Sequence, residues 1–182
     1  MRELLIERDF NEIATDEILA HAGVSRGGMY HHFASKVDLF KAAFEASELD
    51  AMARIGAVAQ QQARRGGGPF EQLRAGCIAY VRECASGGEL ARIGLRQSRA
   101  VLGWEAWRAA AEPLGIAALK GGVQMALDAG ELACDDVTIT THLLLSVLIE
   151  AGLLAATDPE PDRALARIEP EVTRLLDGLR TP

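Results

Sequence analysis

Apolar residues recur along almost the whole chain three or four positions apart, and the two-residue alternation of a half-buried strand is nearly absent. This pattern predicts an all-α protein, with helices through the start to about Arg8 and then over 15–22, 26–32, 36–64, 70–85, 89–97, 104–127, 136–156 and 163–179. Breaks fall where backbone-permissive or helix-ending residues cluster: Gly23, the run Arg64-Arg65-Gly66-Gly67-Gly68-Pro69, Ser86-Gly87-Gly88, Ala129-Gly130 and Asp158-Pro159-Glu160-Pro161. Ser35 and Asp38 make a capping box that starts a helix at Lys36. Pro113 lies inside a helical run and is expected to kink or split it, since proline lacks the N–H and crowds the preceding turn.

Chemistry concentrates in residues 14–33. Ile18, Leu19 and Ala22 form the apolar face of a short helix, Gly23 takes the left-handed turn that costs least without a side chain, and Val24 fills the corner. Ser25 is placed to cap the next helix, and Met29 and Phe33, four apart, turn its buried face inward. A helix, a three-residue turn and a second short helix make a helix-turn-helix. Arg26, Gly27, Tyr30 and His31 lie on the opposite face of the second helix, which suits a DNA major groove. Arg26 matches a guanine edge, and Gly27 and Gly28 leave the backbone bare for close approach. Lys36, opening the following helix, suits a phosphate.

The wider string resembles the TetR/AcrR family of repressors: Phe10, Asp16-Glu-Ile18, Ala22-Gly-Val-Ser25, Gly27, Tyr30-His-His-Phe33, Ser35-Lys36 and Leu39-Phe40 fall at that family's spacings. The resemblance implies a three-helix DNA-binding head over 1–46 and a helical effector-binding and dimerisation body over 47–182. It also implies that Thr15, Arg26, Gly27, Gly28, Tyr30, His31 and Lys36 face DNA. The partners implied are double-stranded operator DNA, a small-molecule effector and a second copy of the chain, with no cofactor. Three positions depart from the family pattern: Asp9 for a turn glycine, Ile13 for a capping threonine, and Gly28 for a threonine. Thr15 is the substitute cap this suggests.

Net charge is −7, and the head itself carries eight acidic residues against five basic ones, Arg2, Arg8, Arg26, Lys36 and Lys41. This charge argues against non-specific nucleic-acid packaging, and specific binding is expected to be salt-sensitive. Cys77, Cys84 and Cys134 form no Cys-x-x-Cys pair and read as small buried hydrophobes in a reducing compartment, with thiol sensing the lesser reading. The start is charged throughout and the most apolar stretch, 143–156, contains Glu150 and is too short to span a bilayer, so the expectation is a cytoplasmic protein, nucleoid-associated when DNA-bound, with no membrane partner.

In the body, the last helix carries Leu165, Ile168, Val172, Leu175 and Leu179 at heptad-like spacing, and the preceding helix, with Leu144 and Leu148, is apolar nearly all round. These residues are expected to form a dimer seam, because a two-fold operator calls for a two-fold protein; a single thick core is the alternative. Tyr80, Trp104, Trp107 and His142 are candidates to line an effector pocket near the proline kink, although at least one tryptophan is expected to be plain core. Arg92, Arg96 and Arg99 form a basic stripe that faces solvent or meets an acidic effector. There is no His-Glu-x-x-His, no Gly-x-Ser-x-Gly and no phosphate loop, which argues against an enzyme. The second reading is a ligand-binding or heterodimerising helical protein whose DNA-binding head is weakened.

Overall fold

A computed structural model describes residues 1–181. Among them are ten α-helices and no strand, with one isolated antiparallel bridge, Leu132 to Arg180. The head comprises α1 (Arg2–Glu7), a 3-10 turn (Phe10–Glu12), α2 (Thr15–Ala22) and α3 (Arg26–His32). From it runs α4 (Lys36–Arg64), followed by α5 (Pro69–Ala85), a π-helical stretch (Leu90–Gln97) that continues into α6 (Ser98–Leu102), and α7 (Trp104–Ala111). A second π-helical stretch (Glu112–Ile116), α8 (Ala117–Asp128), α9 (Val137–Thr157) and α10 (Pro161–Asp177) complete the chain.

Local chemistry accounts for several helix ends. Gly23 sits at φ 65°, ψ 28°, and Val24 N–H returns to Leu19 C=O at 3.1 Å, closing α2 with a left-handed cap. Ser25 Oγ accepts from Gly28 N–H at 3.1 Å, and Ser35 Oγ accepts from Asp38 N–H at 3.1 Å, so α3 and α4 start where expected. Asp136 caps α9 by accepting from Thr138 and Ile139 N–H at 2.7 and 3.0 Å. The start of α5 is capped from afar: Glu131, after α8, accepts from Phe70 N–H at 2.8 Å.

Three local expectations need correction. Ala14, not Thr15, occupies the N-cap of α2, and no side chain caps it. Val24 is exposed rather than filling the corner, and Ala22 is exposed as well; Ile18, Leu19 and Met29 close the motif instead. At Pro113 the run divides, as expected: a π-helical stretch holding the proline separates α7 from α8, one way to accommodate a missing N–H. Finally, α9 is 21 residues long with a mean hydropathy of 1.8, enough by length and composition to cross a membrane; here one side of it is packed inside the body.

The packing is continuous between head and body. Leu4, Leu5, Phe10, Ile13 and Ile18 of the head meet Phe40 and Phe44 of α4, and this cluster also contains Ile93, Trp107 and Ile116 from the body. The expected division at 46/47 falls within the uninterrupted α4. A second cluster joins α5 (Phe70, Leu73, Cys77, Val81), α8 (Val123, Ala126), α9 and α10. Leu144 and Leu148 of α9 and Val172 of α10 belong to it, each at most 7% exposed. This corrects their place in the seam: they face inward because α5 and α8 already cover that side. Leu165, Ile168 and Leu179 are half-buried against the same core, and only Leu175 of the seam residues stands clear, at 56% exposure.

Candidate DNA-binding face and effector cavity

On the head, Arg26, Gly27, Gly28, Tyr30 and His31 lie together on the exposed side of α3, opposite buried Met29. Tyr30 is 45% exposed, and the His31 and His32 rings meet edge-on at 5.0 Å. Thr15, half-buried at the start of α2, is the remaining member. Lys36 departs from expectation. Its ammonium donates to Phe10 C=O at 2.6 Å and lies 4.0 Å from the Phe10 ring centroid, and burial lowers its pKa. The lysine therefore binds the head together before it meets any phosphate.

Every other basic residue of the head is also engaged within the protein. Arg26 pairs with Asp16, Arg8 with Glu17, Lys41 with Glu45 at 3.7 Å, and Arg2 with Glu89 and with Asp50 at 2.6 Å. Such exposed pairs are individually weak, so a phosphate can displace a carboxylate at little cost, but each exchange adds salt dependence.

Between α4, α5 and α7 to α9 lies a cavity of about 210 Å³, walled mainly by apolar side chains including Met52, Ile55, Leu119, Leu145 and Ile149. Of the four expected lining residues, Tyr80 and Trp107 are there. Trp104 and His142 are not. Trp104 stands 59% exposed, its ring 5.2 Å from that of Trp107, and His142 Nε2 is bonded to the Arg108 guanidinium at 3.0 Å, a satisfied polar group. The arginine stripe divides too: Arg99 lines the cavity with its guanidinium 4.7 Å from the Trp107 ring centroid, whereas Arg92 and Arg96 do not line it.

Burial pushes the Tyr80 hydroxyl well above its usual range and the Cys77 and Cys84 thiols up to about 12, which makes both thiols inert packing groups. The sequence reading missed Glu48. It lines the cavity from α4, and burial, with no opposing bond or charge, raises its carboxyl to about 7. A Cβ on Gly94 would come within 2.8 Å of Oε1, and one on Gly115 within 3.6 Å of Oε2, so the carboxyl is wedged between the two π-helical stretches.

A raised carboxyl pKa means that the folded state holds the Glu48 proton more tightly than the unfolded chain does. Its favourable contribution is fully present below the usual carboxylate range and is lost as pH rises toward 7. Glu48→Gln is thus expected to raise the melting temperature near neutral and alkaline pH. At about 1.4 kcal/mol per pKa unit, the gain is on the order of 2 kcal/mol for a partly hydrated cavity wall. The gain should shrink as the pH falls toward 5, and thermal scans across that range are the check.

One further bond joins cavity and head. Gln97, at the end of the first π-helical stretch and 6% exposed, accepts from Phe10 N–H at 2.8 Å and donates to Leu5 C=O at 3.0 Å. It satisfies a free donor and a free acceptor at the break after α1. Glu89, just before the stretch, holds Arg2 of α1. Gly94 and Leu95, between these two anchors, are cavity wall.

A helix-turn-helix head packed on a cavity-bearing helical body defines a DNA-binding transcriptional regulator. The model of bacterial regulatory proteins of the tetR family matches residues 2–43, and that of the tetracyclin repressor-like C-terminal domain matches residues 70–179. The chain belongs to the TetR family. Among solved structures, a TetR-family transcriptional regulator from Pectobacterium atrosepticum is 27% identical, with a TM-score of 0.81 over 100% of this chain and 90% of that one. RolR in complex with resorcinol shares the fold at 16% identity, TM-score 0.69, over 100% and 89% of the two chains. Reduced Escherichia coli NemR does so at 18% identity, TM-score 0.68, over 99% and 92%. A search of curated proteins finds no sequence match.

Proposed function

We propose that the protein is a homodimeric repressor that leaves its operator when a small molecule fills the cavity. The observation that carries this reading is the dual attachment of the segment 89–97, whose middle walls the cavity while its two ends, Glu89 and Gln97, hold α1 and the 3-10 turn of the head. A ligand that displaces Gly94 or Leu95 acts on both anchors at once, and the two heads of a dimer lose the spacing that fits successive major grooves. RolR, which shares the fold, has been solved with resorcinol bound, and this supports small-molecule control.

Support for the dimer comes from the outer side of α9 and α10. Ile139, Leu143 and Leu154 are all more than half exposed, in line with half-buried Val147, and α10 adds Leu175. An apolar helix with one side in the core and the other bare needs a cover. A second copy supplies it with two-fold symmetry, which explains a spanning-length apolar helix without a membrane.

On DNA, α3 enters the major groove with Arg26 at base edges, Gly27 and Gly28 close to the backbone, and Tyr30, His31 and Thr15 toward phosphates. The experiment is recovery and sequencing of genomic fragments bound by the purified protein, followed by gel shifts on the recovered site. A two-fold symmetric site is expected, with Tyr30→Phe weakening binding several-fold at unchanged melting temperature. If Tyr30→Phe melts substantially lower, the tyrosine is a packing residue. A folded dimer with no specific site at low salt supports the second reading, capture of ligand or partner by a protein with a weakened head.

A further inference from the structure

We propose that the effector is an amphipathic organic cation, a compact apolar body bearing a protonated amine that pairs with the Glu48 carboxylate between Gly94 and Gly115. This rests on the reading of the cavity as the effector site and names the chemistry it selects.

Glu48 is set deep in a wall otherwise dominated by hydrocarbon, and burial alone accounts for its raised pKa. Among the described residues no buried side-chain polar atom lacks a partner, so the Glu48 oxygens are not sealed off; they open onto the cavity. The protein thus presents an acceptor with no partner of its own, open to an incoming molecule. A neutral donor leaves the charge uncompensated, and a carboxylate adds a like charge, whereas an ammonium supplies both donor and opposite charge in a medium where that pairing is strong.

The groups facing Glu48 are few. From α5 come Tyr80 and Cys84, both held neutral by burial; from α6 comes Arg99, exposed at its outer end and lying over the Trp107 ring. The cavity residues of α8, α9 and both π-helical stretches are uncharged. Arg99 is the one competing cation, and water screens it where it stands. The apolar walls contributed by Met52, Ile55 and Leu119 suit a hydrocarbon or aromatic body.

The pairing also couples binding to pH. An amine needs the ionised carboxyl, so its affinity should fall as the pH drops below 7, where Glu48 holds a proton. Ionisation of Glu48 against Gly94 is moreover a change made at the stretch that carries Gln97.

The test uses the full chain, wild type and Glu48→Gln, with phenethylamine, phenethyl alcohol and phenylacetate as matched probes in titration calorimetry. Near pH 8 the wild type is expected to bind the amine about tenfold or more tighter than the alcohol, a gap equivalent to one charged pairing, and the gap should narrow near pH 6. Glu48→Gln is expected to keep alcohol binding and lose the amine preference. Melting curves confirm that the variant is folded. Equal binding of amine and alcohol, tightest binding of phenylacetate, or an amine preference that survives in Glu48→Gln each overturns this inference and leaves the cavity as effector site. Failure of all three probes to bind saturably overturns both.

Discussion

Leu175→Glu is expected to behave as a monomer in light scattering and to bind the operator about a hundredfold or more weaker than wild type, because linking two heads multiplies affinity by roughly two to four orders of magnitude. Leu175 is exposed on α10 and lines a groove between α9 and α10 that already carries Glu150, Glu171 and Asp158 against one arginine, Arg167. A glutamate there adds a like charge and, in a closed interface, a desolvated one, which costs several kcal/mol. The protomer itself loses little, since the neighbouring Val172 and Leu176 and not Leu175 face the core. Circular dichroism should therefore show an intact helical fold in a particle of half the mass. A dimer of unaltered mass would falsify the proposed interface.

The contrast between Leu175 and Leu144 marks where the sequence stops being legible. The head could be read closely because its signals are local: Gly23 and Ser25 act on backbone groups two to four residues away, and the resulting helices start and stop within a residue of expectation. In α9 almost every position is apolar, so periodicity cannot say which stripe faces the core. The signal that was available is Glu150: it shares a stripe with Leu143, Val147 and Leu154, and a lone charge marks the side that closes last, while Leu144, Leu148, Ala151 and Ala155 take the other. Trp104 and Trp107, three apart, were equivalent by spacing; packing buried one and left the other stacked outside it.

Glu48 and Lys36 illustrate a different limit. Each is one of several charges spread along α4, which in sequence read as a solvated face. Their environments are made by residues remote in the chain, Gly94 and Gly115 for the glutamate, Phe10 for the lysine. The π-helical stretches were illegible for a related reason. A π turn differs from an α turn by one residue in its hydrogen bonding, and the register is decided by what the stretch must reach, here the head on one side and the cavity on the other.

Gln97→Leu should separate those two tasks. Leucine fits the volume but leaves Phe10 N–H and Leu5 C=O buried and unpaired, and each such group costs about 1–3 kcal/mol. The melting temperature is expected to fall by about 2–4 °C per kcal/mol for a chain of this size. The larger consequence concerns control. With the bond to the head removed, the Gln97→Leu dimer is expected to retain operator binding and to respond to a cavity ligand with a much smaller loss of affinity than wild type, because Arg2 with Glu89 is then the remaining polar anchor of the stretch and is partly exposed. The comparison requires only operator titrations with and without ligand, at a temperature where both proteins are folded. If Gln97→Leu releases DNA as fully as wild type, the signal travels through α4, whose 29 residues connect Phe40 and Phe44 in the head to Glu48 and Met52 at the cavity, and the π-helical stretch serves packing alone.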